Sequence, residues 1–289
     1  MGVVINTNIS SITASRILSE NRADLEKAME RLASGKRINS ANDDAAGMAV
    51  AAKMRADIRS LNQAVRNTND AISLVNTYDG AASEIESILI RMRELAVQAN
   101  NGTYEAADRT NADYEYTALK NEITRIAGVS AFNRTTLGQG SGGVVAGTTL
   151  NKDTTFSFYV GSDVAKTGNT VTFSSQPLDL NLAVSAATLN SIVNTASAAQ
   201  AILNLDDAIY ELAANRAQAG ALVNRLEHTV SNLMNVSQRL QEAVSGIEDA
   251  DYAAESAALA RGMVLAQAGT AMLAQANQAP NFILALLRG

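Results

Sequence analysis

The chain has 289 residues, of which 47% are hydrophobic and 18% are charged, and its formal net charge at pH 7 is −6. This acidic balance argues against a nucleic-acid-binding protein, because neutralising phosphates requires a basic face. Cysteine is absent, which excludes disulfides and thiolate metal sites, and the lack of tryptophan favours long, closely packed helices over an aromatic-centred globule.

The N-terminal forty residues carry an apolar stripe with helical spacing, which ends near Gly35. The residues of this stripe that we expect other protein to bury are Ile5, Ile9, Ile12, Leu18 and Leu25. The segment lacks the basic leader and apolar core of a secretory signal peptide. On composition alone, this absence favours a cytoplasmic protein.

A polar segment, ASGKRINSANDDAAG at residues 33–47, follows the stripe. Ser40, Asn42, Asp43 or Asp44 can cap a helix that begins after them, since their side-chain oxygens accept hydrogen bonds from its first free N–H groups. The segment lacks the alternating oxygen ligands and the distal glutamate of a calcium loop. It therefore predicts a helix cap and no metal site.

An apolar seam with steps of three and four residues extends over residues 54–96 and predicts a second, longer helix. Its members are Met54, Ile58, Leu61, Val65, Thr68, Ile72, Val75, Ile85, Leu89, Met92 and Ala96, with an interruption at Asp79 and Gly80. A rise of about 1.5 Å per residue makes this helix roughly 63 Å long. A shorter seam over residues 112–126 predicts a third helix, folded back after a turn at Gly102.

The period changes from helical to alternating over residues 138–177, which are rich in glycine, serine and threonine. The apolar residues that alternate with polar neighbours are Phe156, Phe158, Val160, Val171 and Phe173. This pattern predicts two or more short strands joined by turns.

A second long seam covers residues 202–247, with 12 of its 14 positions apolar and with Arg216 and Ser237 as the exceptions. It predicts a helix of roughly 68 Å at about 1.5 Å per residue. This is long enough to lie beside the helix predicted over residues 54–96. The predicted fold class is mainly α: a rod-like bundle of long helices with coiled-coil terminal helices and a small antiparallel β-hairpin region.

No charged side chain lies between Arg261 and Arg288. A membrane span needs about 20 predominantly apolar residues, but polar side chains interrupt this tail, Pro280 is expected to break it, and its longest apolar stretch is too short. We therefore predict burial by other protein and no membrane insertion. The tail residues assigned to self-assembly are Leu259, Met263, Leu273, Phe282, Leu284 and Leu287. A face that docks on a different surface of the next copy generates an open filament.

Four segments of the chain together resemble bacterial flagellin. They are MGVVINTNISSITASR, LASGKRINSANDDAAGMAVAAKMR, RMRELAVQANNGTY and IEDADYAAESAALARGMVLAQAGTAMLAQANQAP, in that order. The resemblance covers residues 1–137 and 190–289. It departs at Arg134, where flagellins usually have glycine, and this puts the local turn in doubt because glycine permits a positive φ.

The resemblance implies a structural subunit that polymerises head-to-tail and laterally through its terminal helices into the flagellar filament for motility. It implies a core pair of residues 1–40 and 250–289, a helical rod of residues 41–137 and 190–249, and a β-rich surface segment, 138–189, either bare or carrying O-linked sugars. Export through the flagellum's own channel would explain the missing signal peptide, so the expected location is the extracellular filament.

The resemblance also implies several partners. Identical subunits come first, followed by a flagellar export chaperone at the C-terminal segment and by the hook-junction and cap proteins. Arg91, Leu95 and Glu115 match positions that the vertebrate Toll-like receptor for flagellin recognises. In the other interpretation Leu95 packs inside the rod and the arginines form ion pairs between subunits, and both interpretations can hold together.

Nothing in the sequence marks an active site or a cofactor site, so we expect no enzyme. His228 lies outside the seam on an expected solvated face, and a single histidine cannot complete an HExxH zinc site. Two alternatives to a filament subunit remain. A hook–filament junction protein would cap a short ring, and a cell-surface homologue that binds a glycan or a receptor would cluster exposed aromatic or charged residues in the middle segment.

Overall fold

The structure is a computed structural model that describes residues 7–137, 154–161, 168–175 and 191–288, with the side chains of the last helix described as far as Gln278. Within these residues the elements are α1 (Ile9–Ser34), α2 (Ala45–Ala99), α3 (Ala106–Val129), β1 (Ala131–Phe132), β2 (Thr135–Thr136), β3 (Thr154–Tyr159), β4 (Thr170–Ser175), α4 (Thr195–Glu248) and α5 (Tyr252–Arg288). The predicted fold class is confirmed: long helices with a small antiparallel hairpin region. The chain divides into two compact units, residues 1–58 with 238–289 and residues 59–237.

The seam predicted for α4 faces protein along its whole length. None of the positions from Ile202 to Ile247 on that seam is exposed, and Leu205 and Leu226 are completely buried. The two polar exceptions have partners: Arg216 Nε lies 2.8 Å from Asp79 Oδ1, and Ser237 Oγ donates to Asn62 Oδ1 at 3.2 Å. The seam therefore tolerates these polar residues because each makes a hydrogen bond.

The apolar seam is interrupted at Asp79 and Gly80, but the helix is not: as predicted over residues 54–96, a single helix runs from Ala45 to Ala99. A helical glycine costs about 1 kcal/mol relative to alanine. The neighbours of Gly80 outweigh this cost, since Tyr78 and Ala82 are both buried in the core of the unit formed by residues 59–237. Packing against this core keeps the helix continuous.

The described residues of this unit also form two short antiparallel hairpins. In the longer one, Phe156 pairs with Phe173 and Phe158 with Val171, as the alternating pattern predicted. Phe173 meets Tyr78 of α2 edge to face, with ring centroids 5.4 Å apart, which holds the hairpin against the helices. Burial and the charge of Asp79 raise the pKa of Tyr78 to about 12.

The turn placed in doubt by Arg134 does form. Strands β1 and β2 flank the two residues Asn133 and Arg134, and both have positive φ, 49° and 66°. This is the conformation that a two-residue hairpin turn requires. Asparagine adopts it with little strain, whereas arginine does not.

Candidate self-assembly surface

Helices α1 and α5 pack against each other as an antiparallel pair. Arg31, near the end of α1, bonds to Glu255 in the first turn of α5 at 2.9 Å. At the opposite end, Ser11 Oγ donates to Asn277 Oδ1 at 2.6 Å. The chain's two ends therefore lie side by side within one unit.

Small residues on α5 allow the two helices to approach closely. A Cβ atom placed on Gly269 would lie 3.1 Å from Leu18 Cδ1, and one placed on Gly262 would lie 3.4 Å from Leu25 Cβ. The glycines are spaced by one heptad, as are the leucines that they face, which is the repeat of a coiled-coil seam. Leu18 and Leu25 thus hold the pair together.

A cluster of charged and polar residues ties the start of α2 to the junction between α4 and α5. Glu248 is buried and accepts two hydrogen bonds from Arg55, at 2.9 and 3.1 Å, with Lys36 Nζ 3.6 Å away. Backbone bonds run beside it, from Arg37 N to Glu248 O at 2.6 Å and from Ala250 N to Gly35 O at 3.0 Å. This pairing satisfies the buried carboxylate.

The predicted helix cap is present, and Asp44 provides it. Its Oδ1 atom accepts from Gly47 N at 2.8 Å in the first turn of α2. Its neighbour Asp43 instead bonds to Lys27 at 2.9 Å and accepts from the backbone N–H groups of Asn39 and Ser40. These contacts, with Lys27 first, hold the pKa of Asp43 well below its usual range.

Large apolar side chains remain uncovered on the outer sides of this pair. Ile9 is 66% exposed, Ile12 64%, Met263 53% and Met272 65%. We name the set the terminal apolar face; its members are Ile9, Ile12, Ile17, Met29, Met263, Val264, Leu265 and Met272. Exposed apolar side chains in this number on one pair of helices indicate a surface that associates with other protein.

The residues predicted for self-assembly fall into three groups. Leu18 is buried and Leu25, Leu259 and Leu273 are partly buried in the single chain. Ile9, Ile12 and Met263 are exposed. Ile5 lies outside the described residues, and Phe282, Leu284 and Leu287 lie on α5 beyond the last described side chain. The predicted set therefore combines residues that join α1 to α5 with residues that are exposed in the single chain.

The prediction that Pro280 breaks the tail is wrong, because α5 continues to Arg288. Part of this helix, Tyr252–Gln278, is also long and apolar enough to cross a membrane by length and composition, with a mean hydropathy of 1.2 in its best window. Only 6% of that window is buried in the single chain. By length and composition alone, lipid and neighbouring protein are both possible surroundings for it.

The residues predicted for receptor recognition differ in how accessible their side chains are. Arg91 Nε lies 2.9 Å from Glu115 Oε1 and Arg91 Nη1 lies 2.9 Å from Glu94 Oε2, and these carboxylates, Glu115 first, raise the pKa of Arg91. Leu95 is only 3% exposed, so its side chain belongs to the core and presents almost no surface. Arg93 pairs with Asp206 at 2.5 Å, so both arginines have partners inside the chain, where sequence reasoning expected partners between subunits.

The sequence pattern did not reveal two residues of the unit formed by residues 1–58 and 238–289. Glu248 had no signal beyond its place in the IEDAD segment, because its partners Arg55 and Lys36 are far away in the chain. Asn8 was missed too; its side chain reaches Ala276, 268 residues along the chain. An asparagine just before an apolar stripe does signal a helix cap, but it does not reveal a second partner.

Within the described ranges, no cluster of three or more histidine, cysteine or acidic side chains could hold a metal ion. His228 is exposed on α4, as its position outside the seam predicted. Helical pairing and an uncovered apolar face are features of a structural subunit that associates with its own copies.

Comparison with known proteins identifies the family. The family described as "Bacterial flagellin N-terminal helical region" matches residues 5–142, and "Bacterial flagellin C-terminal helical region" matches residues 186–287. The chain belongs to the bacterial flagellin family, and it is a structural subunit of the flagellar filament and not an enzyme.

Individual relatives agree over their whole length. The flagellin of Halalkalibacterium halodurans is 41% identical over 99% of this chain and 100% of that protein. The flagellin of Bacillus subtilis is 39% identical over 98% and 99%, and the "flagellar filament 33 kDa core protein" of Treponema phagedenis is 39% identical over 99% and 100%. A crystal structure of Bacillus cereus flagellin has 34% identity and a TM-score of 0.49 over 58% of this chain and 88% of that one.

Proposed function

We propose that neighbouring subunits join by burying the terminal apolar face, so that residues 1–40 and 250–289 form the core of the filament. The polymer then grows head-to-tail and laterally through the α1–α5 pair. The β-rich residues 138–189 would face outward.

The observation that supports this proposal is the exposure of that face in the single chain. Fully burying one Leu, Ile or Met side chain contributes roughly 1.5 to 3 kcal/mol. The eight members of the face are each between 43% and 67% exposed. Contact with several neighbours would recover a large part of this free energy, and it would offset the entropy of ordering the ends.

The same face favours neighbouring protein over lipid as the surroundings of α5. Glu255 and Arg261 lie within the apolar stretch of this helix, and Glu255 is held by Arg31 of α1. A span made of the whole apolar stretch would take both charges into hydrocarbon, and one placed after Arg261 would instead take in Gln267, Gln275, Asn277 and Gln278, and either is costly. Pairing with α1 keeps the ion pair intact and leaves the apolar residues for other subunits.

Secretion and binding of the remaining partners would involve the same C-terminal segment. Before assembly, an export chaperone that binds the C-terminal residues would cover the α5 part of the terminal apolar face. Hook-junction and cap proteins would contact it at the two ends of the polymer. Each of these partners would compete with the next subunit for one surface.

Recognition by the Toll-like receptor for flagellin would use Arg91 and Glu115, which are accessible, and not Leu95, which is buried. Their mutual bond would have to be exchanged for bonds to the receptor. Leu95 would then act only by positioning α2.

Seeded polymerisation tests the assembly proposal. Monomer is mixed with sheared filament fragments, and growth is followed by sedimentation and electron microscopy. We expect wild-type chains to elongate the seeds, Met263→Asp to abolish growth, and the matched control Met234→Asp, at an exposed methionine of α4 outside the terminal apolar face, to retain it. Removing residues 250–289 should also abolish growth. Normal growth of Met263→Asp or of the truncated chain would contradict the proposal.

A further inference from the structure

Helix α5 contains a proline at a position where a helix normally needs a backbone donor. In an α-helix the N–H of residue 280 would donate to the carbonyl of residue 276. Pro280 has no N–H, so the carbonyl of Ala276 loses its intrahelical partner. α5 nevertheless continues for two more turns, to Arg288.

A side chain from the other end of the chain supplies a donor to that carbonyl. Asn8 Nδ2 donates to Ala276 O at 2.7 Å. The other atom of the same amide, Asn8 Oδ1, accepts from Ser11 N at 3.1 Å and caps α1. Both contacts require the same orientation of the amide, since one partner is an acceptor and the other is a donor.

We propose that Asn8 is a positioning residue that caps α1 and completes α5 at once, so that the last turns of α5 are held only when the start of α1 is ordered. Asparagine is suited to both tasks. Aspartate and serine cap a helix equally well, but aspartate has no donor at neutral pH and the serine side chain is shorter. The hydrogen bond between Ser11 Oγ and Asn277 Oδ1, at 2.6 Å, also joins the start of α1 to this part of α5.

This arrangement has a consequence for assembly, and it rests on the proposed function of the α1–α5 pair. The residues after Pro280 include Phe282, Leu284 and Leu287, which we assign to contacts between subunits. Asn8 holds the turn of α5 from which these residues continue. The C-terminal apolar residues are then placed for contact with a neighbour only when the N-terminus is also ordered.

A double-mutant cycle tests this coupling in the full-length chain. Asn8→Asp and Asn8→Ser keep the cap on α1 and remove the donor to Ala276. Pro280→Ala restores the N–H that α5 lacks, so Ala276 no longer depends on Asn8. We measure the critical concentration for seeded growth and the resistance of the C-terminal residues to protease in the filament.

We expect either Asn8 variant to raise the critical concentration about five- to tenfold, as the loss of one hydrogen bond predicts, and to expose the C-terminal residues to protease. Pro280→Ala alone should grow at least as well as wild type. Combined with Pro280→Ala, the Asn8 variants should return to within about twofold of wild type, because the carbonyl now has its own helix partner.

Two results would overturn the coupling. One is wild-type growth and protease resistance of both Asn8 variants. The other is a defect of the same size with and without Pro280→Ala, which would place the role of Asn8 in the cap on α1 alone. Failure of the proposed function would look different, since wild-type chains would then fail to elongate seeds or chains without residues 250–289 would succeed.

Discussion

At single residues, the surrounding structure offsets unfavourable local conformations. Arg134 is the clearest example. It holds a φ of 66° in the turn between β1 and β2, where a non-glycine residue is strained. The neighbouring bonds fix the turn: Leu137 N donates to Ser130 O at 2.8 Å beyond the two strand pairs. The departure from the flagellin pattern at Arg134 drew attention to this turn, and the structure shows that the turn forms with arginine in place.

Arg134→Gly should therefore stabilise the unit formed by residues 59–237. Glycine adopts positive φ without steric cost, and we expect the free energy of unfolding to rise by about 1 kcal/mol, less the added entropy of the unfolded chain. Thermal unfolding of the monomer measures this change. Asn133→Gly is the matched control and should gain less, since asparagine already tolerates this conformation. A lower melting temperature for Arg134→Gly would show that the arginine side chain contributes more than its backbone strain costs.

At the scale of elements, the helices follow the sequence pattern closely, because a seam of three- and four-residue steps can be buried only on one side of a helix. Residues 202–247 illustrate this, as do Tyr116 and Ile123 on α3, both buried as the third seam predicted. The local preference failed at Pro280, where α5 continues and a contact from Asn8 reaches the carbonyl of Ala276. Glu248 and Asn8 could not be predicted, because their partners come from distant parts of the chain.

The seam of α4 can be tested at Leu233, which is buried. Leu233→Asp places an unpaired carboxylate in an apolar environment and should cost about 3 to 5 kcal/mol, enough to lower the melting temperature strongly or to unfold the unit. Met234→Asp, at the adjacent exposed position, is the control and should leave the melting of the monomer almost unchanged. Equal melting curves for wild type and Leu233→Asp would mean that this side of α4 does not face the core.

The whole molecule has two kinds of apolar surface. The core of residues 59–237 is satisfied within one chain, with side chains such as Leu89 and Leu205 completely buried. The terminal apolar face is not, although α1 and α5 already pair. A subunit built in this way is complete only among its copies, which is consistent with a filament protein.

The most direct test is methionine oxidation at low dose, comparing monomers with intact filaments of the same preparation. Met29, Met263 and Met272 lie on the terminal apolar face, whereas Met92 is buried within the chain and serves as an internal reference. Exposed thioethers oxidise to sulfoxides much faster than buried ones. We predict that the three methionines react rapidly in the monomer and, in the filament, become nearly as slow as Met92. Rapid oxidation of Met263 and Met272 in filaments that remain intact would contradict the claim that neighbouring subunits bury this face.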